Sequence, residues 1–112
     1  LSVAFVAGAV ISFFTGSSWG TFAICIPIAV PMAYSFTGGQ LGTLVYAAVG
    51  AVVSGGLFGD HCSPVSDTTV LSSLGAACDH IDHVRTQLPY ALLAAVVSMI
   101  LWVVVAMVGG AA

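Results

Sequence analysis

The sequence predicts an all-α membrane protein, and three observations predict it. Of 112 residues, 60% are apolar and only 4% charged, against about a quarter charged in an ordinary soluble domain. The charges are Asp60, Asp67, Asp79, Asp82 and Arg85, so residues 1–59 and 86–112 carry none. The apolar residues fall into runs of helical length, separated by glycine, proline and hydroxyl residues. Such a chain has no means of building a solvated face, and its hydrophobicity excludes disorder. A single Arg without Lys excludes nucleic-acid binding. The expected partner is the lipid bilayer. A crossing takes about 20 apolar residues, which limits the chain to about four or five passes. Leu1 in place of Met, and the Gly109-Gly110-Ala111-Ala112 end, read as a piece of a longer polypeptide. Leu1–Phe14 has no basic n-region, so no signal peptide is expected. Cys25, Cys62 and Cys78 form no CxxC and no disulfide framework is expected.

Leu1–Phe14 is apolar but short, and it breaks at Thr15-Gly16-Ser17-Ser18-Trp19-Gly20. Thr21–Phe36 is apolar again, interrupted by Pro27 and Pro31. Two short apolar arms about a Gly/Ser turn predict a re-entrant helical hairpin over 1–36 with its tip at 15–20. Irregular backbone at that depth needs protein or an aqueous cavity around it. The alternative is one complete span, a surface turn and a kinked span.

After the loop Thr37-Gly38-Gly39-Gln40, Leu41–Phe58 forms an uncharged helix. Its Ala47, Ala51, Gly55 and Gly59 make a small-residue stripe at which another backbone can approach closely. Pro64 cannot donate to a helix and disfavours helix at Ser63, so the helix breaks over 59–67. It restarts with Ser66 or Asp67 as N-cap and runs to about Ala77, giving a broken helix over 41–77. Residues 78–87 form a polar connector at a membrane surface or in a vestibule, and Leu88–Val108 is the final span. Arg85 beside that span is one charge in favour of a cytoplasmic connector, which leaves the orientation open.

Paired interruptions of apolar helices are the sequence signature of a secondary transporter's binding site. Half-helix N-termini suit anions, whereas freed carbonyls and helix C-termini suit Na⁺. Thr15, Ser17, Ser18, Ser63, Ser66 and Thr68 supply hydroxyl oxygens for a hard cation. A carboxylate at bilayer depth costs at least about 2.5–3.5 kcal/mol on insertion scales, so Asp60 and Asp67 are candidates for function. One buried carboxylate that takes either Na⁺ or a proton is already an exchange device. The bland readings are an N-cap for Asp67 and a surface acid for Asp60. His61 is a candidate proton relay or a structural partner of Asp60. A metal centre drawn from Asp60, His61, Cys62, His80 and His83 is a further alternative. However, the spacing matches no standard zinc pattern. No metal cofactor is therefore expected. The charged window divides in two on this reading, with 60–67 at an ion site and 79–85 at a water-exposed mouth.

Three strings resemble the NhaC-type Na⁺/H⁺ antiporter family. They are Thr15-Gly16-Ser17-Ser18-Trp19-Gly20-Thr21-Phe22 with Ile26-Pro27-Ile28-Ala29-Val30-Pro31, then Gly59 through Thr69, then Cys78 through Tyr90. The resemblance implies one half of an inverted-repeat secondary transporter: a re-entrant hairpin, a broken transmembrane helix and a final span. It further implies Na⁺ and H⁺ as transported ions that compete for Asp60 and Asp67, with no covalent chemistry and no cofactor. The missing remainder of the chain, and a second copy in a homodimer, would be its partners. A prokaryotic plasma membrane would be its location. Exchange of small organic anions or amino acids is the alternative cargo.

Overall fold

The computed structural model describes residues 1–111, and they form five helices without a strand. Helix α1 is Ser2–Thr15, α2 is Ser18–Phe36, α3 is Thr43–Cys62, α4 is Asp67–Gly75 and α5 is His80–Ala111. Three of them, α2, α3 and α5, are long and apolar enough to cross a membrane. At 1.5 Å per residue the shorter α1 reaches about 21 Å, below the roughly 30 Å of a hydrocarbon core.

The chain turns are tighter than the sequence predicts. The first break is only Gly16 and Ser17, because Ser17 caps α2: its Oγ accepts from the Gly20 N–H at 3.2 Å. The cap draws Ser18-Trp19-Gly20 into α2, so that arm has 19 residues and is long enough to cross by itself. The second break narrows to Ser63–Ser66, with Asp60 and His61 in the last turn of α3 and Asp67 opening α4. Helix α4 stops at Gly75 rather than Ala77. The predicted connector over 78–87 is largely helix. Asp79 Oδ1 accepts from the Ile81 and Asp82 N–H groups at 3.0 and 3.3 Å, and this cap starts α5 at once. Pro27, Pro31 and Pro89 lie inside helices, where each removes one backbone donor.

Small residues on α3 decide how the helices pack. A Cβ on Gly55 would fall 2.1 Å from the Phe5 carbonyl oxygen, and one on Gly59 would fall 2.2 Å from that of Ala9. The backbones of α1 and α3 therefore touch. Because Phe5 meets Gly55, Ala9 meets Gly59 and Phe13 meets Ser63, the two helices run parallel. The buried face of α3 is Ala48, Ala51, Val52, Gly55, Gly56 and Gly59, with Ala47 at its flank. Helix α2 runs back along α3, from Phe22 beside Gly56 to Ala33 beside Val45 and Ala48. Helix α5 also returns antiparallel, with Trp102 Nε1 donating to Ser54 Oγ at 3.0 Å. Many of its apolar side chains remain exposed, Leu93, Val96 and Ile100 each by more than half. That surface suits lipid or neighbouring helices.

Candidate cation site at two helix breaks

The two breaks meet. Gly16 holds φ +67°, a left-handed conformation that favours glycine, and its N–H bonds the Ser12 carbonyl as an αL helix stop. A Cβ there would lie 2.8 Å from the Val65 carbonyl oxygen and 3.1 Å from the Ser66 nitrogen. Ser63 Oγ ties the breaks together by donating to the Phe13 carbonyl at 2.6 Å. One turn below, Ser12 Oγ donates to the Gly56 carbonyl at 2.6 Å. Ser12 and Ser63 are fully buried, and in an apolar bundle each such bond also avoids the cost of an unpaired polar group. The N-termini of α2 and α4 and the C-termini of α1 and α3 thus converge. Helix dipoles of both signs end in one small volume.

A carboxylate cluster stands at this junction. Ser66 Oγ donates to Asp60 Oδ1 at 2.7 Å and lies 2.7 Å from Thr68 Oγ1. Thr68 Oγ1 lies 3.4 Å from Asp60 Oδ2. Both carboxylate oxygens and two hydroxyl oxygens therefore gather across the break, brought together by the turn at Pro64. All four are hard oxygen donors, the type a Na⁺ ion takes. The last carbonyls of α3 are largely occupied elsewhere: that of Asp60 by the Ser63 N–H, and that of His61 by Gln87 Nε2 and Thr69 Oγ1. Side-chain oxygens are thus what this half of the junction offers a cation.

The other sequence candidates have different places. Thr15 Oγ1 bonds its own helix at Ile11 O, and Ser17 is the α2 cap. Ser18 is buried beside that cap. Asp67 is exposed, and its Oδ1 accepts from the Thr68 N–H at 3.0 Å. The expectation of two buried aspartates is therefore corrected: Asp60 is half-buried and Asp67 is on the surface. The reason is helical phase. Helix α4 buries only Thr69 and Ser73, and at 100° per residue Asp67 stands about 200° from Thr69.

Two residues of the polar string beyond the second break reach back to it, while Asp79, Asp82 and Arg85 are exposed. His80 Nε2 reaches the Pro64 carbonyl at 2.6 Å, and Gln87 Nε2 lies 2.6 Å from His61 Nε2. A polar groove of about 340 Å³ lined by His61, Thr68, Thr69, Ser72, His83 and Gln87 opens beside the cluster. A second, mainly apolar groove of about 450 Å³ has Asp60, Tyr90 and Ser98 in its lining. Sequence reading missed Gln87 and the structural part of His80. Their only early signal was an Asp-His-rich string too polar for an ordinary membrane loop. Among the described residues no three His, Cys, Asp or Glu side chains converge as a metal centre requires. Cys25, Cys62 and Cys78 are free thiols.

Interrupted helices joined at a carboxylate, within a nearly uncharged apolar bundle, are the architecture of a membrane transport protein. The particular kind follows from comparison: the chain belongs to the Na⁺/H⁺ antiporter family, which it matches over residues 1–107. Proteins of this family are transporters rather than enzymes. The chain is 52% identical over 103 residues to an uncharacterised protein of Haemophilus influenzae, covering 92% of this chain and 19% of that one. It is 38% identical over 101 residues to the malate-2H⁺/Na⁺-lactate antiporter of Bacillus subtilis, covering 90% and 20%. An uncharacterised Na⁺/H⁺ antiporter of H. influenzae is 37% identical over 98 residues, covering 82% and 19%. The chain thus spans about a fifth of the length of these curated relatives. No solved structure matches it.

Proposed function

We propose that this chain supplies part of the ion site of a Na⁺/H⁺ antiporter, in which Asp60 takes Na⁺ and a proton in turn. The Asp60–Ser66–Thr68 cluster at the junction of two helix breaks carries the reading. With Na⁺ bound, Asp60 would be ionised and the Ser66 and Thr68 hydroxyls would turn their oxygens to the ion. With Na⁺ gone, a proton on Asp60 would remove an unpaired charge from an apolar bundle, which is otherwise costly. Because one carboxylate serves both ions, each releases the other. Ser63 and Ser17 hold the breaks in place, and Asp67 complements the α4 N-terminus. His61, bonded to Gln87, would pass protons between Asp60 and the polar groove. No cofactor is needed.

The rest of the site would come from the rest of a longer carrier, arranged as an inverted repeat with α1–α2 as the re-entrant hairpin. That carrier would lie in a prokaryotic plasma membrane, and a homodimer is its expected assembly. In proteoliposomes holding the full-length carrier, an imposed Na⁺ gradient should drive proton flux. Unchanged flux in Asp60→Asn would refute the role of the carboxylate.

A second reading keeps the architecture and changes the cargo to a small organic anion exchanged with Na⁺ or H⁺. The 38% identity to the Bacillus exchanger favours it, and the hydroxyl-, imidazole- and amide-lined groove is chemically suited to a carboxylate. Stimulation of flux by malate or lactate, absent with Na⁺ alone, would select this reading.

A further inference from the structure

Ser63 and Val65 are held against α1, but the boundary that follows them has few bonds of its own. Pro64 has no N–H, and the local backbone bonds are long: Ser63 N to Asp60 O is 3.3 Å and Ser66 N to Ser63 O is 3.4 Å. Helix α4 has 9 residues and buries only Thr69 and Ser73, so packing does little to anchor it. Yet Ser66 and Thr68, on the two sides of that boundary, both have to face Asp60. Beyond the contacts of Ser63 and Val65, one further group reaches both sides of that boundary.

That group is His80. Its Nε2 lies 2.6 Å from the Pro64 carbonyl, which only accepts, so Nε2 carries the hydrogen and donates. Its Nδ1 then accepts and lies 3.3 Å from Ser73 Oγ, whose one hydrogen is shared with the Val70 carbonyl at 2.8 Å; Ser73 is one of the two buried residues of α4. One imidazole therefore bridges the middle of the break and the half-helix that follows it. A tight reversal delivers the ring: Cys78 N bonds Ser73 O at 3.1 Å, Ala77 takes φ +54°, and Asp79 caps α5. A positive φ at alanine is a strained conformation, retained where the surroundings impose it. None of the bonds made by His80 goes to Asp60, Ser66 or Thr68.

We propose that His80 is a positioning residue for the cation site: it fixes the Pro64 carbonyl and Ser73 so that the Ser66 and Thr68 hydroxyls meet Asp60. This rests on the Na⁺ reading of the Asp60 cluster. Loss of His80 weakens Na⁺ binding more than it slows turnover, because the ligands remain but are no longer held together.

The test uses the full-length carrier in proteoliposomes, with proton flux measured against Na⁺ concentration. His80→Phe keeps a ring and loses both bonds; His80→Gln returns a donor for the Pro64 carbonyl. His80→Phe should raise the half-saturating Na⁺ concentration about tenfold, the scale of one or two hydrogen bonds, with the maximal rate held within about twofold. His80→Gln should recover most of that loss. If His80→Phe lowers abundance or thermal stability, the His80→Gln comparison still decides. Unchanged Na⁺ half-saturation in both variants overturns the proposal, as does a fall in maximal rate alone. Wild-type flux indifferent to Na⁺ would remove the antiport reading itself, and the positioning role with it. An Na⁺-dependent wild type with an unaffected His80→Phe removes only the latter.

Discussion

Gly16 and Val65 are in backbone contact: a Cβ on the first would lie 2.8 Å from the carbonyl oxygen of the second. Two interruptions separated by more than forty residues of chain are thereby pressed together, at a position that also requires φ +67°. Gly16→Ala should cost about 1–2 kcal/mol for the left-handed conformation alone, and more for the clash with backbone that has little room to yield. Reduced thermal stability together with loss of flux is expected; a variant of wild-type stability would show that the breaks do not need this contact.

The α1–α3 seam gives a graded comparison. Gly55→Ala and Gly59→Ala each put a methyl group into a carbonyl of α1, so the helices must separate, at a cost of about 1–3 kcal/mol or more. Gly50→Ala meets the Trp102 ring at 2.9 Å, a side chain able to shift, and should cost less. Melting of the purified carrier in detergent should rank Gly50→Ala above the other two.

Within the cluster, Asp60→Asn should abolish Na⁺-driven proton flux. Ser66→Ala removes the hydroxyl bonded to Asp60 Oδ1 and should raise the half-saturating Na⁺ concentration about tenfold, the worth of a hydrogen bond to a charged group. Asp67→Asn should change that concentration by less than about threefold, as expected of a screened surface carboxylate near a helix N-terminus. A larger effect for Asp67→Asn than for Ser66→Ala would move the site away from Asp60.

Trp102→Phe removes the bond to Ser54 while keeping an aromatic ring against Gly50. The expected loss is about 0.5–1.5 kcal/mol, read as a lower melting temperature with the Na⁺ dependence of flux unchanged. A shifted Na⁺ dependence would mean that α5 is coupled to the site along its length.

The helices and their interruptions were legible because their causes are local. Pro64, the Ser63–Ser66 polarity and the glycine at position 16 disrupt a helix wherever the chain is placed. Exact edges were less legible, since Ser17 and Asp79 act as caps and draw Ser18–Gly20 and His80–Gln87 into helices. Asp60 stood out as a candidate acid from the cost of a charge in an apolar chain. Which of Asp60 and Asp67 meets Ser66 was not legible, because the phase of α4 decides it.

The sequence by itself determined the solvent, the helical class and where helices stop, all consequences of composition and short-range sterics. Only the tertiary structure decided that the breaks touch and that His80 and Gln87 belong with them. Those partners lie 16 and 26 residues away along the chain, from His80 to Pro64 and from Gln87 to His61. Their meeting depends on the turn at Ala77 and the antiparallel return of α5, and no local periodicity encodes either. The polar string over 78–87 thus meets the second break at His80 and Gln87, because the chain doubles back there.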